Sequence, residues 1–582
     1  MTREAAATTP HPPAGGTLWR LACVAVIAGF VINAFAALLR DTQFSGREDT
    51  WSYLAHSVYL AEHGGVWGFL REAFAGTFPI VERHPLYMLL LSPMAERTAW
   101  FFFQAKLANL VLGMLVLASF CWMVWRRDGA ATALLAGTGY AASASLIASS
   151  SHVCSEPALI LTVLWTWWWL TGPQTAWRWG IAGLWLGLAF LAKSPAILVM
   201  AATLAARLWH TRGRALASPA LWLFILAAVL VASPLLVRNV RAHGQLLWEG
   251  INSSIMWQER RSDVGNSDVR EDTYGVLTIE RDTFPTLAQY LRTHRLGDVA
   301  GRLGRGAAKE TRIIIRALAT DRKLPGPLAL AWGLGVLLAA LAGWWLQRRT
   351  WVATLCAWWV AAFLAFFSWD AEMWPAARYV APLIPVVFWF AGRALWQGVR
   401  RLASPARAAQ IVWGVCLLLT AVLTVRTMGK GVFDARQPVL TVSPAFQRLV
   451  AWMNAQAPDG ARVVSGPTRE FDGYLFFVAH PMARIIAPHA PDEAAYLSAL
   501  RDRRISHLVV HRENIRGWDG ELASTFAAHW SVTPEGGMME RTPVPGWEQA
   551  YADSGVPARF LVYRPARDMQ TSAPDKKVAH GR

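Results

Sequence analysis

The residues best suited to chemistry in this sequence lie in an early polar stretch, residues 47–93. It is the first long polar interruption after the first apolar segment, and it carries Glu48, Asp49 and Glu82 among its acids. A carboxylate in such a place can take a proton from an acceptor hydroxyl, which is the role of a general base. Asp49 also directly precedes a predicted helix over residues 50–63, so a helix N-cap or a solvated loop acid is the alternative interpretation.

Cationic residues occur where they could surround a phosphate leaving group. Arg83 stands beside His84, and Lys193 separates two short apolar segments. Arg238 ends the seventh apolar segment and Arg378 begins the tenth. Arginine can bind two phosphate oxygens at once, whereas lysine acts as a point charge. The alternative is that each of these side chains merely reaches from a span to the membrane surface.

Other polar residues near these acids and bases are further candidates. Tyr53 and Tyr379 suit an aromatic belt at the membrane interface as well as a site. Glu156 opens the fourth apolar segment, where an acid also favours the helix dipole. His84 and His152 show no spacing typical of metal ligands, so the sequence predicts no metal site.

The composition indicates a membrane protein. Of the 582 residues, 54% are hydrophobic and only 16% are charged, whereas a soluble protein carries about a quarter charged residues. The apolar residues form blocks of roughly 17 to 25, the length that crosses a hydrocarbon core of about 30 Å. The net charge of +17 comes largely from arginines in short loops, as the positive-inside rule describes. The charge therefore does not indicate binding to nucleic acid.

The apolar blocks predict an all-α polytopic domain of about eleven transmembrane helices. The fifth and sixth are short and form a hairpin broken at Lys193-Ser194-Pro195, because proline disfavours helix in the residue before it. The arginine-rich loops place the N-terminus in the cytoplasm and the C-terminus outside, which suits a multi-pass protein of the bacterial inner membrane. The predicted spans are 18–39, 101–125, 129–149, 156–171, 179–192, 195–209, 219–237, 326–346, 351–368, 376–397 and 408–428.

The remaining segments complete the predicted domain organisation. The transmembrane domain, residues 18–428, has periplasmic loops at 40–100 and 238–325. In the tail, helices at 446–454 and 492–501 alternate with strands at 461–465, 506–510 and 560–563, which predicts a small periplasmic α/β domain over residues 440–566. Residues 1–17 and 567–582 are predicted to be disordered.

Five short motifs resemble those of the GT-C polytopic glycosyltransferases of the family 39 type, the bacterial protein O-mannosyltransferase and aminoarabinose-transferase-like enzymes. They occur in the family's order and at compatible topological positions. The departures are Thr50 in place of a second acid, Arg83 in place of lysine and His84 in place of proline. The motifs are Asp49-Thr50-Trp51-Ser52-Tyr53 with Gly64, Glu82-Arg83-His84-Pro85-Leu86-Tyr87, Leu191-Ala192-Lys193-Ser194-Pro195, Pro234-Leu235-Leu236-Val237-Arg238-Asn239, and Arg378-Tyr379-Val380-Ala381-Pro382-Leu383-Ile384-Pro385.

The resemblance implies transfer of a sugar from a polyprenyl-phosphate donor to an acceptor at the outer face of the membrane. Asp49 matches the family's catalytic base, and Glu82 with Arg83 matches the acid and cation beside the donor. Lys193, Arg238 and Arg378 match positions near the lipid phosphate. The implied reaction is a single displacement with inversion that needs no cofactor, although a bridging divalent cation stays open. The acceptor stays open among a protein, lipid A, a glycolipid and a wall polymer.

Two interpretations from other classes accompany this one. A transporter or flippase of lipid-linked sugars should carry polar residues deep inside its spans and repeat symmetry. The sequence shows neither, since its polar residues gather at one predicted face. A non-catalytic scaffold for envelope assembly would use the tail domain to bind partners, with the loop acids as surface residues.

Overall fold

The structure is a computed structural model that describes most of the chain, and all structural statements below concern the described residues. The candidate Glu48 lies outside them, as do the predicted disordered termini except for residues 16 and 17, which open the first helix. The described residues are 16–42, 49–248, 250, 256–258, 268–281, 286–319, 326–370, 377–428, 442–465, 477, 481–485, 492–511, 529–532, 538–553 and 558–566.

Every apolar block predicted from the sequence is helical. The first part of the chain forms α1 (Gly16–Arg40), α2 (Thr50–Glu62), α3 (Gly65–Ala75), α4 (Pro85–Leu91), α5 (Ala99–Asp128), α6 (Ala130–Ala142), α7 (Ala144–Ser151), α8 (Glu156–Leu170), α9 (Ala176–Ala192), α10 (Ala196–Thr211) and α11 (Pro219–His243). The second part forms α12 (Leu287–Thr293), α13 (Leu296–Ala317), α14 (Gly326–Gln347), α15 (Trp351–Asp370), α16 (Ile384–Leu402), α17 (Pro405–Met428), α18 (Pro444–Gln456) and α19 (Glu493–Asp502).

Seven of the described helices are long and apolar enough to cross a membrane, and the bent pair α6 and α7 makes an eighth if it is one span. The seven are α1, α5, α11, α14, α15, α16 with the 3-10 turn Ala377–Leu383 before it, and α17. Helices α9 and α10 are shorter, as the sequence predicts for the hairpin at Lys193. Helix α8 is also short, with 15 residues. The chain is therefore a polytopic membrane protein. Its apolar helices differ more in length than the apolar blocks of the sequence suggest.

The predicted continuous span at 129–149 is wrong, because α6 and α7 meet at an angle of 65°. Ser143 stands at the break in an extended conformation. Its hydroxyl donates a hydrogen bond to Ala317 O at 2.9 Å, and Ala144 N donates to Ala319 O at 3.2 Å. The end of α13 thus satisfies polar groups that the broken helix exposes, and a distant segment stabilises the break.

Close helix packing in the bundle depends on glycines in α9. A Cβ added at Gly183 would lie 2.2 Å from Phe224 O, and one at Gly187 would lie 2.7 Å from Ala228 O. Both carbonyls belong to α11, so the backbones of the two helices approach each other directly. Helix α11 continues to His243, so the sequence-based end of this span, at residue 237, is six residues too early for the helix.

The tail forms the predicted α/β domain, but its sheet also includes two strands from the predicted loop 238–325. The main sheet has seven strands in the order β2-β1-β4-β3-β5-β9-β8, and β6 and β7 pair separately. Strands β3 and β4, and β3 and β5, are parallel, whereas β1 pairs antiparallel with β2 and β4. The strands are β1 (Asp268–Asp272), β2 (Leu277–Arg281), β3 (Ala461–Ser465), β4 (Met482–Ile485), β5 (His507–His511), β6 (Trp530–Val532), β7 (Met538–Glu540), β8 (Trp547–Ala552) and β9 (Phe560–Pro565).

The β1–β2 hairpin belongs to the predicted loop 238–325, and this connection was not predicted. Its tip also packs on α2, since Arg97 Nη1 donates to Thr273 O at 3.0 Å and Tyr274 donates to Glu62 Oε2 at 2.7 Å. The loop therefore joins the tail domain to the helix that follows Asp49.

Candidate active site

Asp49 connects two arginines that come from distant parts of the chain. Its Oδ1 accepts a hydrogen bond from Arg83 Nη2 at 2.7 Å, and its Oδ2 accepts one from Arg378 Nη1 at 3.1 Å. Asp49 stands at the N-cap position of α2 but makes no capping hydrogen bond with its side chain. The residue thus has the N-cap position of the alternative interpretation, but its carboxylate bonds to the two arginines and not to the backbone of the helix. The side chain is 25% exposed, so a ligand can reach it.

Two short turns bring the arginines to the start of α2. Arg83 lies two residues before Pro85, the first residue of α4, where proline suits the first helical position. Arg378 lies in the 3-10 turn that leads into α16. Arg83 also donates from Nη1 to Glu82 O at 3.0 Å, and its guanidinium lies 5.9 Å from the centroid of the Tyr53 ring. The position of Arg83 is thus fixed by Glu82, by Asp49 and by Tyr53 of α2.

A second ion pair lies beside the first. Lys193 follows the last residue of α9, and its Nζ donates to Oε1 of Glu156, the first residue of α8, at 2.5 Å. The same Nζ lies 5.6 Å from the centroid of the Tyr379 ring. The hydroxyls of Tyr53 and Ser155 are 2.9 Å apart and share a hydrogen bond. The predicted candidates Tyr53, Glu156, Lys193 and Tyr379 therefore converge on one place, which Ser155 joins.

We call Asp49, Arg83, Glu156, Lys193 and Arg378 the charged cluster. Its three cations face two carboxylates, which leaves one net positive charge. Although burial alone would raise the pKa of Asp49, the charges of Arg83, Arg378 and Lys193 outweigh it and lower that pKa to about 2. Asp49 is therefore ionised at every physiological pH. The cluster keeps one surplus positive charge, which can attract an anion.

The loop that carries Ser155 and Glu156 is held by a residue that the sequence analysis did not single out. Asn109 of α5 is fully buried, and its side-chain amide donates to Ser149 O at 3.3 Å and to Cys154 O at 2.9 Å, and also to His152 O. A polar residue inside an apolar helix is costly unless it is hydrogen-bonded. That rule could have marked Asn109 in the sequence, although it could not have named its partners.

Glu82 directly precedes Arg83 of the charged cluster, and Arg238 lies near it. Both side chains are buried, and the charge of Arg238 acts on Glu82. A Cβ added at Gly250 would lie 3.0 Å from Glu82 Oε1, so the backbone at Gly250 lies close to this acid. Burial raises the pKa of Glu82 to about 7, against the smaller opposing effects of Arg83 and Arg238. Glu82 thus changes its charge near neutral pH, unlike Asp49.

Arg238 has unused hydrogen-bonding capacity. Its Nε and Nη1 are buried and have no hydrogen-bond partner among the residues that the structure describes. The guanidinium carbon lies 6.0 Å from the centroid of the Phe78 ring. A buried guanidinium in this state suits an anionic ligand, and the charges of Arg238 and Arg83 both act on Glu82.

The histidines serve in hydrogen bonds. His84 donates from Nδ1 to Phe190 O, which joins the turn before α4 to α9. His152 donates from Nδ1 to Ala148 O at 2.7 Å. Within the described part of the chain, no group of three His, Cys, Asp or Glu side chains could hold a metal ion. Independence from cofactors stays a prediction, and a divalent cation bridging donor phosphate and carboxylates stays open.

Comparisons with known proteins agree with this architecture. Residues 97–237 match the family model described as dolichyl-phosphate-mannose-protein mannosyltransferase. The chain is similar to the crystal structure of ArnT from Cupriavidus metallidurans bound to undecaprenyl phosphate, with a TM-score of 0.53, 13% identity, and coverage of 96% of this chain and 99% of that chain. It is also similar to the Archaeoglobus fulgidus oligosaccharyltransferase in complex with Zn and sulfate, with a TM-score of 0.52, 12% identity, and coverage of 90% and 72%. No curated protein matches the sequence.

The chain therefore has the GT-C fold of polytopic membrane glycosyltransferases, with a small C-terminal sheet domain. This confirms the resemblance that the five motifs indicate. At this level of identity the likeness shows the fold and assigns no roles to residues.

Proposed function

We propose that this protein is a glycosyltransferase that moves a sugar from a polyprenyl-phosphate donor to an acceptor hydroxyl, with inversion at the sugar carbon. The observation that carries the proposal is the pairing of Asp49 with Arg83 and Arg378 beside Lys193. One carboxylate within reach of solvent and a surplus of cations suit a reaction whose leaving group is a phosphate. A glycosyl phosphate is a good leaving group and departs without a second acid.

Donor binding would change the state of Asp49. A lipid phosphate that engages Arg83 and Arg378 competes with Asp49 for the same N–H groups, because each arginine already donates to that carboxylate. The added negative charge raises the pKa of Asp49 from its low value. The carboxylate becomes a better base only when the donor is in place, which favours transfer over unproductive proton binding.

The reaction is a single displacement at the anomeric carbon of the sugar. Asp49 accepts the proton of the acceptor hydroxyl, and the acceptor oxygen bonds to the anomeric carbon of the sugar. The bond from that carbon to the phosphate oxygen breaks, and its electron pair leaves with the polyprenyl phosphate. Arg83, Arg378 and Lys193 stabilise the charge that develops on the phosphate, because fixed cations need no reorganisation during the reaction.

The reaction would take place at the outer face of a bacterial inner membrane. This assignment rests on arginines in the last turns of helices or directly after them, among them Arg127, Arg348 and Arg400, as the positive-inside rule describes. The ends of α5 support the same orientation, since Arg126 and Arg127 lie in its last turn, whereas its first turn is on the side of Arg97 and the β1–β2 hairpin.

The proposal is tested with Asp49→Asn and the matched control Asp128→Asn. Asp128 is also a partly buried aspartate held by an arginine, Arg393, but it is the last residue of α5, at the opposite end of that helix from Arg97 and the β1–β2 hairpin. Release of undecaprenyl phosphate from a panel of undecaprenyl-phosphate monosaccharides is measured in detergent, in the presence of envelope extract as acceptor. Asp49→Asn should reduce kcat by about 10² to 10⁴-fold, while Asp128→Asn keeps kcat. An equal kcat for wild type and Asp49→Asn would remove Asp49 as the base.

A further inference from the structure

The tip of the β1–β2 hairpin is fastened to α2 by several independent contacts. Tyr274 donates its hydroxyl to Glu62 Oε2 at 2.7 Å, and its ring meets the Tyr59 ring edge to face, with centroids 5.3 Å apart. Arg97 donates to Thr273 O and lies 4.9 Å from the centroid of the Tyr274 ring. These contacts hold the far end of α2, more than two turns from Asp49.

The contact nearest to Asp49 is made by His56, Trp51 and Gly275, which we call the α2 clasp. His56 is fully buried, and its Nε2 donates to Gly275 O at 3.0 Å. Burial lowers the pKa of His56 to about 3, so the ring stays neutral with its proton on Nε2. A Cβ at Gly275 would lie 2.9 Å from the Trp51 ring and 3.4 Å from His56 Nε2. Only glycine therefore lets the hairpin approach the helix this closely.

The other end of the hairpin is part of the tail domain. β1 pairs with β4 in antiparallel register, and Arg484 of β4 forms an ion pair with the buried Glu271 of β1 at 3.2 Å. The same Arg484 guanidinium lies 5.8 Å from the centroid of the Trp51 ring. Trp51 is two residues from Asp49, so one short path of contacts joins the tail sheet to the start of α2.

We propose that His56 is a positioning residue, which acts through Gly275 to hold the start of α2, and with it Asp49, in register with Arg83 and Arg378. This inference rests on the proposed function of Asp49 as the base. The tail domain then has a part in catalysis, because the β1–β2 hairpin that contacts His56 and Trp51 belongs to its sheet. A displacement of a catalytic group by about 1 Å can cost a large part of the rate, so a small shift of the hairpin would be felt at Asp49.

The first test compares Gly275→Ala with Gly460→Ala. Both glycines have a φ of +77°, so alanine is strained equally at both, but a Cβ at Gly460 meets nothing within 4 Å. Both precede or follow strands of the same sheet. The transfer rate is divided by the concentration of sites that bind undecaprenyl phosphate, which counts only folded protein. This kcat per site should fall roughly ten- to hundredfold in Gly275→Ala, while Gly460→Ala keeps the wild-type value. Equal values of kcat per site for the two variants would overturn the proposal.

The second test uses His56→Gln and His56→Leu and does not depend on activity. The glutamine amide can replace the Nε2 donor, whereas leucine cannot. Hydrogen exchange of the α2 backbone amides, measured by mass spectrometry on the full chain, should be about tenfold faster in His56→Leu and Gly275→Ala than in wild type. His56→Gln should restore slow exchange. Unchanged exchange in His56→Leu would overturn the clasp, whereas loss of transfer in wild type would overturn only the proposed function.

Discussion

Lys193 Nζ lies 2.5 Å from Glu156 Oε1 and joins the break between α9 and α10 to the first residue of α8. The Glu156 side chain is only 2% exposed and that of Lys193 is 16% exposed. A buried charge that loses its partner is costly, whereas loss of both charges together is much less so. This pair therefore holds two spans together at the same place where it contributes a cation to the charged cluster.

Glu156→Gln and Lys193→Met form a double-mutant cycle that separates these two roles. Each single change should lower the free energy of unfolding by about 3 kcal/mol, because it leaves one buried charge alone. The double variant should lose clearly less than the sum. Unfolding by SDS in mixed micelles measures all four proteins, and strictly additive losses would contradict a direct pair.

Asp49→Asn and Arg378→Ala should change affinity for undecaprenyl phosphate in opposite directions. Removal of the Asp49 charge takes away the competitor for both arginines, so we expect binding to tighten by roughly two- to tenfold. Arg378→Ala removes a cation and should weaken binding by a similar factor. Affinity is measured by titration in detergent, with Asp128→Asn as the control that keeps wild-type binding. Weaker binding in Asp49→Asn would show that the carboxylate does not compete with the phosphate.

Glu82 should make stability depend on pH in a defined direction. Burial raises the pKa of Glu82 from 4.5 to about 7 in the folded protein. Between these values the folded state binds a proton that the unfolded state releases, so the free energy of unfolding falls as pH rises. The fall should reach up to about 3 kcal/mol and level off above the folded pKa.

The measurement compares wild type with Glu82→Gln, which cannot ionise at this position. Melting temperatures in detergent are recorded from pH 5 to pH 8 for both proteins. The wild type should lose stability relative to Glu82→Gln as the pH rises through this window. Parallel curves would mean that Glu82 has an ordinary pKa.

Local patterns in the sequence were sufficient for the helices and for several site residues. Apolar length predicted every span segment, and Pro195 marked the break at Lys193. Tail strands such as 461–465 were predicted from their short β-branched runs. The motif order indicated that Asp49, Arg83 and Arg378 act together, which their hydrogen bonds now support as a common site.

Other features depended on partners far away in the chain, and local patterns do not encode these. The bend at Ser143 depends on hydrogen bonds that Ser143 and Ala144 donate to carbonyl groups at the end of α13. Nothing in residues 129–149 themselves encodes these partners, so the sequence alone predicts one span there. The β1–β2 hairpin shows its place only through its pairing with β4.

The sequence by itself determined the membrane class, the helical segments and the kinds of residue available for phosphate chemistry, because apolar length and charge act locally. Only the tertiary structure decided which carboxylate faces which cation. It also decided that a strand pair from a loop connects the tail domain to α2. Contacts such as Asp49 with Arg378 and β1 with β4 join residues far apart in the chain, and the free energy that selects them arises only when the helices pack.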